Sequence, residues 1–199
     1  ACFTKCTELD PNCAMAWWGI AYCVSSNYNW SPGLGPGYDA IQQAVSLKDD
    51  CTELEQDLIM ALSTRHSKEA RDNANPAALN MGNSPELNQA FAAAMAPLYE
   101  KYKGNLDVTA IYVEALMNLN PWTLWNKDAS TGEITPVDDS TLLLIEVMEE
   151  AFDNVPGAKQ HPALCHLYCH ALELSPYPER ALPAADVLRT LMPGCGHLV

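Results

Sequence analysis

The chain has 199 residues, 48% of them hydrophobic and 18% charged, so it can bury a sizeable core. Its 25 acidic and 11 basic residues give a formal net charge of −14, which repels nucleic-acid phosphates and anionic bilayers. We therefore expect no nucleic-acid partner. We also expect no membrane insertion, because no apolar run approaches the roughly 18 residues of a membrane span.

The first fifty residues have the spacing of a helical repeat. A helix ends at the turn residue Pro11, and six residues later Trp17 begins the pattern W-x2-L-G-x2-Y. Ala21 occupies the small position of this pattern, which lets the second helix of a pair approach closely. After an insertion, Ile41 and Ala44 continue the apolar spacing, and a first repeat over residues 1–50 follows.

The middle of the chain predicts further amphipathic helices and three loops. Apolar residues recur at helical spacing in Thr52–Thr64, Ser84–Lys103, Leu106–Leu119 and Ser140–Phe152. The first of these begins with a capping box, Thr52 to Glu55, and residues 51–120 form a degenerate second repeat. The predicted loops are 31–37, 66–85 and 121–139.

The last of these loops contains two tryptophans. Because Trp122 and Trp125 precede a turn-like Ser130-Thr131-Gly132, we expect the loop to fold back as a short hairpin. The tryptophans are either contact residues on an exposed surface or buried anchors of the loop.

The repeat spacing returns near the end of the chain. Cys165, Tyr168 and Cys169 precede Ala181 and Leu188 at matching intervals, which indicates a third repeat over residues 138–199. The sequence therefore predicts an all-α fold, a single domain over residues 1–199. It would be a tetratricopeptide-like α-solenoid of antiparallel helix pairs with long inter-helix loops. Both ends look like unfinished repeats, so we expect a longer solenoid or stacking on other copies, as in rings or filaments.

Two runs resemble a known group of proteins. They are Leu116–Trp122 and His161–Val199, the second including Pro178-Glu179-Arg180-Ala181-Leu182 and Gly196-His197-Leu198-Val199. They resemble a group of large, mostly uncharacterised tetratricopeptide-repeat (TPR) proteins of bacteria and some eukaryotes. The resemblance implies an all-α solenoid that continues past Val199, and it implies no established reaction. Cys165 and Cys169 stand where that group tends to carry asparagine and an aliphatic residue.

The segment 161–173 holds three of the five histidines. On a helix, His166 and His170 lie one turn apart and Glu173 follows three residues later, a stripe that can bind a divalent metal ion. A thiolate ligand would favour zinc or copper. The residues that can complete the shell are His161, Cys165 and His197. Alternatively, the histidines hydrogen-bond carbonyl or carboxylate groups of a neighbouring repeat.

The repeat register also places these histidines in the concave groove of a solenoid. The equivalent positions of the first repeat are Trp18 and Tyr22. Together with Trp122 and Trp125, these aromatic side chains predict a groove for a ligand or a partner protein.

The eight cysteines contain no C-x-x-C pair, which disfavours a zinc knuckle. Their even number allows disulfides, for which Cys6 with Cys13 and Cys165 with Cys195 are the easiest pairs. Asn29 begins an N-glycosylation sequon, so an extracellular or luminal location is favoured slightly over a cytoplasmic one. Alternatively, several thiols serve as small buried apolar side chains.

No nucleophile elbow, phosphate-binding loop or dinucleotide motif occurs in the sequence, and acidic pairs such as Glu149-Glu150 are expected on solvated faces. The leading prediction is therefore a non-enzymatic scaffold for protein–protein interaction or self-assembly, for example end-to-end into a filament. The alternative is a metal-binding protein or metal-dependent enzyme that uses the histidine and glutamate cluster.

Overall fold

The computed structural model describes residues 2–28, 37–72 and 84–195, and these residues form ten α-helices and one two-stranded sheet. The predicted all-α class is confirmed. The chain divides into two compact units, Ala1–Leu98 and Tyr99–Val199. Within the described ranges, no helix is long and apolar enough to cross a membrane.

The first unit contains six helices. They are α1 (Cys2–Leu9), α2 (Ala14–Val24), α3 (Tyr38–Leu47), α4 (Glu53–Ser63), α5 (Lys68–Asp72) and α6 (Pro85–Lys101), whose last turn belongs to the second unit. Helix α5 lies within the predicted loop 66–85, so that prediction was wrong for these five residues. An ion pair from Arg71 to Asp39 of α3, at 2.5 Å, fixes this short helix.

Small residues let the first helices pack closely, as the repeat spacing predicted. Ala21 of α2 and Ala44 of α3 are fully buried where the two helices meet. Gly19 has a similar role on the other side of α2. A Cβ at that position would collide with the ring of Phe3 on α1.

Helix α4 begins at the predicted capping box. The Thr52 hydroxyl accepts a hydrogen bond from the Glu55 amide at 3.4 Å, and the Glu55 carboxylate accepts one from the Thr52 amide at 2.9 Å. The Thr52 hydroxyl also donates to the Glu55 carboxylate at 2.7 Å, and this hydrogen bond, followed by that from the Thr52 amide, lowers the pKa of Glu55.

The second unit contains four further helices and the hairpin. They are α7 (Leu106–Met117), β1 (Trp125–Lys127), β2 (Ile134–Pro136), α8 (Asp139–Asn154), α9 (Pro162–Leu172) and α10 (Leu182–Leu191). The hairpin predicted for 121–139 is confirmed, with antiparallel strands that pair Trp125 with Pro136 and Lys127 with Ile134. Its turn is held by the Asp128 carboxylate, which accepts hydrogen bonds from the amides of Ser130 and Thr131.

The core of the second unit lies between α7, α8 and α9, and α10 packs on α9. Val113 of α7, Met148 of α8 and Leu164 of α9 are fully buried there. Helix α8 starts where the Asp138 carboxylate caps it by accepting a hydrogen bond from the Ser140 amide at 2.9 Å. These helices bring the histidine segment, the tryptophan hairpin and the acidic residues of α8 into one unit.

All eight cysteines are free thiols in the structure, so the predicted disulfide pairs are not formed. Cys6 is exposed on α1, and Cys13 precedes α2. Cys165 is buried and donates its thiol hydrogen to the Lys159 carbonyl at 3.5 Å, whereas Cys195 is exposed beyond α10. The interpretation of Cys165 as a small buried apolar side chain fits this structure. The sequon residue Asn29 lies outside the described residues.

Candidate binding groove

His161 has a structural role at the start of α9. Its Nδ1 accepts a hydrogen bond from the Leu164 amide at 3.3 Å and thereby caps the helix. With Nδ1 accepting, Nε2 carries the proton and donates to the Asp107 carboxylate of α7 at 3.2 Å. His161 therefore caps α9 through Nδ1 and joins α9 to α7 through Nε2.

The predicted stripe of His166, His170 and Glu173 is present on α9. The two imidazole rings meet edge to face with their centroids 4.6 Å apart. The His170 Nδ1 atom lies 2.9 Å from a Glu173 carboxylate oxygen, which pairs these two side chains. On this face, the histidines contact each other and a carboxylate of their own helix.

The described residues do not complete a metal centre around this stripe. No three His, Cys, Asp or Glu side chains among residues 2–28, 37–72 and 84–195 are grouped so that they could hold a metal ion. Burial, with a smaller effect of Cys169, raises the pKa of the Cys165 thiol to about 11, so it stays protonated at neutral pH. His197 lies outside the described residues. Zinc or copper binding remains a prediction.

The two tryptophans of the hairpin loop have different roles. Trp125 donates its indole hydrogen to the Ala171 carbonyl at 2.7 Å and anchors the hairpin on α9. Trp122 is 52% exposed and lies edge-on to the His170 ring at 5.8 Å between centroids. Its φ of 63° is in the left-handed region, which costs a non-glycine residue about 1–3 kcal/mol. Trp122 thus lies at the surface, and Trp125 is an anchor of the loop.

Trp18 and Tyr22, the other two predicted groove residues, lie in the first unit. Their rings stack in parallel with centroids 5.0 Å apart. The Trp18 indole donates a hydrogen bond to the Leu58 carbonyl of α4 at 3.1 Å. This stack packs α2 against α4, and both side chains are half-buried.

The first unit also has a buried polar centre that includes His66, a residue that the sequence analysis placed in a loop. His66 is buried, and its Nε2 lies 3.0 Å from the Ser25 hydroxyl, which itself donates to the Ala21 carbonyl. The guanidinium of the neighbouring Arg65 donates to Asn88 at 3.1 Å and stacks over Phe91. Because these groups are engaged inside the unit, we assign them to the core.

An open depression of the second unit runs along α8, and we call it the acidic groove. Its volume is about 360 Å³. Apolar side chains form its base, and four carboxylates and one guanidinium surround them. The lining residues are Trp125, Leu142, Ile145, Glu146, Glu149, Glu150, Asp153, Tyr177 and Arg180. Trp125 is among its lining residues, whereas His166 and His170, which the repeat register placed in the same groove as Trp125, are not.

A second depression of about 430 Å³, which we call the side pocket, lies between α8, α9 and α10. Its walls are mostly apolar, with charged groups at the edge. The lining residues are Glu149, Phe152, Asp153, Lys159, Cys165, Tyr168, Arg180, Pro183, Ala184 and Val187. Glu149, Asp153 and Arg180 line both depressions, so the groove and the pocket adjoin each other.

Glu149 links three elements at this shared edge. Its carboxylate accepts a hydrogen bond from the Tyr168 hydroxyl of α9 at 2.5 Å and a charge-assisted one from Arg180. Burial, together with the hydrogen bond to Glu149, raises the pKa of Tyr168. Burial is the largest single influence on the pKa of Arg180 and lowers it, but the charges of and hydrogen bonds to Glu149 and Tyr168 together outweigh burial and raise that pKa.

Glu150 has a similar pair of partners on the other side of α8. It accepts hydrogen bonds from the Tyr99 hydroxyl at 3.1 Å and from Lys103 at 2.9 Å. These two bonds, that from Lys103 first, lower the pKa of Glu150. Glu150 is exposed and Glu149 half-buried, and besides facing solvent each carboxylate binds a tyrosine of a neighbouring helix.

The two remaining carboxylates of the groove are weakly engaged. Asp153 is highly exposed and lies 3.8 Å from Lys159, a loose surface pair. Glu146 makes no hydrogen bond or ion pair with any residue that the structure describes. These two side chains carry the negative charge that the groove presents to a ligand.

The sequence analysis missed this edge because its residues are distant along the chain. Tyr168 and Arg180 lie 19 and 31 residues after Glu149.

Comparison with known proteins finds no matching family, no similar curated protein and no similar solved structure.

Proposed function

We propose that this chain is a non-enzymatic helical-repeat scaffold of the TPR type, and that its second unit binds a protein segment rich in basic and apolar residues. The observation that carries the proposal is the acidic groove. Leu142 and Tyr177 are 52% and 53% exposed there, next to the weakly engaged carboxylates of Glu146 and Asp153.

The charge balance of the groove determines the chemistry of the partner. Four carboxylates face one guanidinium, and the cations Arg180 and Lys103 already neutralise two of the four, Glu149 and Glu150. The charge left for a ligand is therefore that of Glu146 and Asp153. A lysine or arginine of a partner satisfies it, whereas an acidic segment is repelled.

The apolar base of the groove supplies affinity. Exposed large apolar side chains beside a depression are typical of interaction sites, and most binding energy comes from a few apolar anchors that become buried. Leu142, Ile145 and Trp125 form a surface against which such an anchor can pack.

The order of helix packing supports the repeat arrangement. In the first unit, α1 packs on α2, α2 on α3 and α3 on α4, while α7, α8, α9 and α10 pack in the same successive way in the second. Solenoids are built by such contacts between successive helices.

The test is selection of random peptides on the full chain, followed by calorimetry with the selected sequences. We expect peptides with lysine or arginine beside large apolar residues, bound more weakly at high salt. Leu142→Ala and Glu146→Lys should each weaken binding about tenfold. The matched controls are Leu174→Ala and Glu133→Lys, on exposed residues outside the groove. Selected peptides with no basic bias, or equal effects of groove and control variants, would refute the proposal.

A further inference from the structure

We infer that the segment recognised by the second unit carries two neighbouring anchors. A large apolar side chain enters the side pocket next to Asp153, and a lysine or arginine a few residues away lies against Glu146. The inference rests on the proposed function and specifies the partner sequence that the groove would select.

The side pocket has the size and lining for one apolar anchor. Its volume of about 430 Å³ lies in the range of ligand pockets, which is about 300–1,000 Å³. Phe152 of α8 and Pro183, Ala184 and Val187 of α10 form apolar walls. The Cys165 thiol behind them is protonated and adds no charge. An aromatic or long aliphatic side chain suits this space better than a charged one.

The pocket is held in shape before any ligand arrives. The Glu149 carboxylate ties Tyr168 of α9 and Arg180 of the turn Pro178–Ala181 to α8, which fixes three sides of the opening. The Phe152 ring packs edge-on against the Tyr168 ring, with centroids 5.2 Å apart. A preformed pocket reduces the ordering cost of binding, so a single side chain can contribute substantially there.

The spacing of the two anchors follows from the geometry of α8. Asp153 borders both depressions, and Glu146 lies seven residues before it on the same helix. Seven residues of α-helix span about 10 Å, at about 1.5 Å per residue. An extended peptide advances about 3.3 Å per residue, so the basic residue lies about two to four residues from the apolar one.

The experiment measures the affinity of a selected peptide by fluorescence anisotropy, with the full chain and with variants. On the peptide, the apolar residue is replaced by Leu or Ala and the basic residue by Gln. On the protein, Val187→Trp fills the pocket, and Thr190→Trp adds the same side chain to an exposed position of α10 as the control. Circular dichroism checks that both variants are folded.

We expect Val187→Trp to weaken binding of the peptide that has both anchors about tenfold. Binding of the Ala-substituted peptide should not change, because that peptide has already lost the contact in the pocket. Affinity should also fall from the large apolar residue to Leu and then to Ala on the unaltered protein, a series that does not depend on the folding of a variant. Thr190→Trp should change nothing.

Different failures separate the two proposals. If no selected peptide binds, or if Glu146→Lys has no effect, the proposed function itself fails. If Glu146→Lys weakens binding but neither Val187→Trp nor the peptide series does, the groove binds the partner without the pocket, and this inference is overturned.

Discussion

Replacing Tyr168 by Phe removes one hydroxyl from the second unit and leaves its ring in place. Tyr168 is buried, and its hydroxyl donates to Glu149 at 2.5 Å. A hydrogen bond to a charged group contributes about 1.5–3 kcal/mol to stability. In this variant the Glu149 carboxylate, whose side chain is 35% exposed, still has Arg180 as an ion-pair partner, so its charge is not buried without a partner. We therefore expect Tyr168→Phe to lower the free energy of unfolding by about 1–2 kcal/mol.

The assay is urea unfolding at neutral pH, followed by far-ultraviolet circular dichroism. The matched control is Tyr177→Phe, because that ring is exposed and its hydroxyl has no hydrogen-bond partner among the described residues. The control should change the free energy of unfolding by less than about 0.5 kcal/mol. Equal stability of the two variants would refute the assigned role of the Tyr168–Glu149 hydrogen bond.

The same pair predicts a pH dependence. Burial, and then Glu149, raise the pKa of Tyr168 in the folded chain above the ordinary tyrosine value of about 10. Above that pH the unfolded chain releases the proton first. The contribution of Tyr168 is thus complete below about pH 10 and is lost as the pH rises through the folded pKa. The difference in stability between the original chain and Tyr168→Phe should therefore shrink in alkaline buffer. A constant difference would contradict the assignment.

Two further predictions concern local structure. Thr52→Ala removes the cap of α4 and should cost about 1 kcal/mol in urea unfolding, whereas Thr52→Ser should be close to neutral. The hydrogen bonds from Thr52 lower the pKa of Glu55 in the folded chain. The contribution of Glu55 to the free energy of unfolding should therefore be complete above its pKa in the unfolded chain and be lost as the pH falls through its pKa in the folded chain. A stability that does not change with pH in this acid range would contradict the capping box. Trp125→Phe removes the indole hydrogen bond to the Ala171 carbonyl and should lower the stability measured by thermal unfolding by about 1 kcal/mol. The control is Trp122→Phe, at an exposed residue of the same loop, which should lower the stability by less. Equal costs would show that Trp125 is not the anchor of the hairpin.

Much of the helical structure could be predicted because it depends on residues close in sequence. The capping box at Thr52 and the small position at Ala21 are recognisable from their spacing, and both have the expected role. Helix α5 was missed because its five residues, 68–72, have too few apolar side chains to show a period. The ion pair from Arg71 to Asp39 that holds it joins residues 32 apart.

The candidate site also has a part that the sequence could predict and a part that it could not. His166, His170 and Glu173 share a face because α9 has 3.6 residues per turn, and the sequence was enough to predict that. The side-chain partners of His161 and Glu149 were not predictable. Asp107 lies 54 residues before His161, and no local pattern connects the two.

The sequence by itself determined the helical class, the approximate positions of most helices and the acidic character of the surface, since periodicity, capping residues and net charge act within a few turns of chain or as a sum over all residues. Only the tertiary structure decided which carboxylates are neutralised and which keep their charge at the edge of the groove. Glu149 and Glu146 lie one turn apart on α8 and are the same chemical group. Both line the groove, but Glu149 lies within reach of Tyr168 of α9 and of Arg180 in the turn Pro178–Ala181, which neutralises its charge.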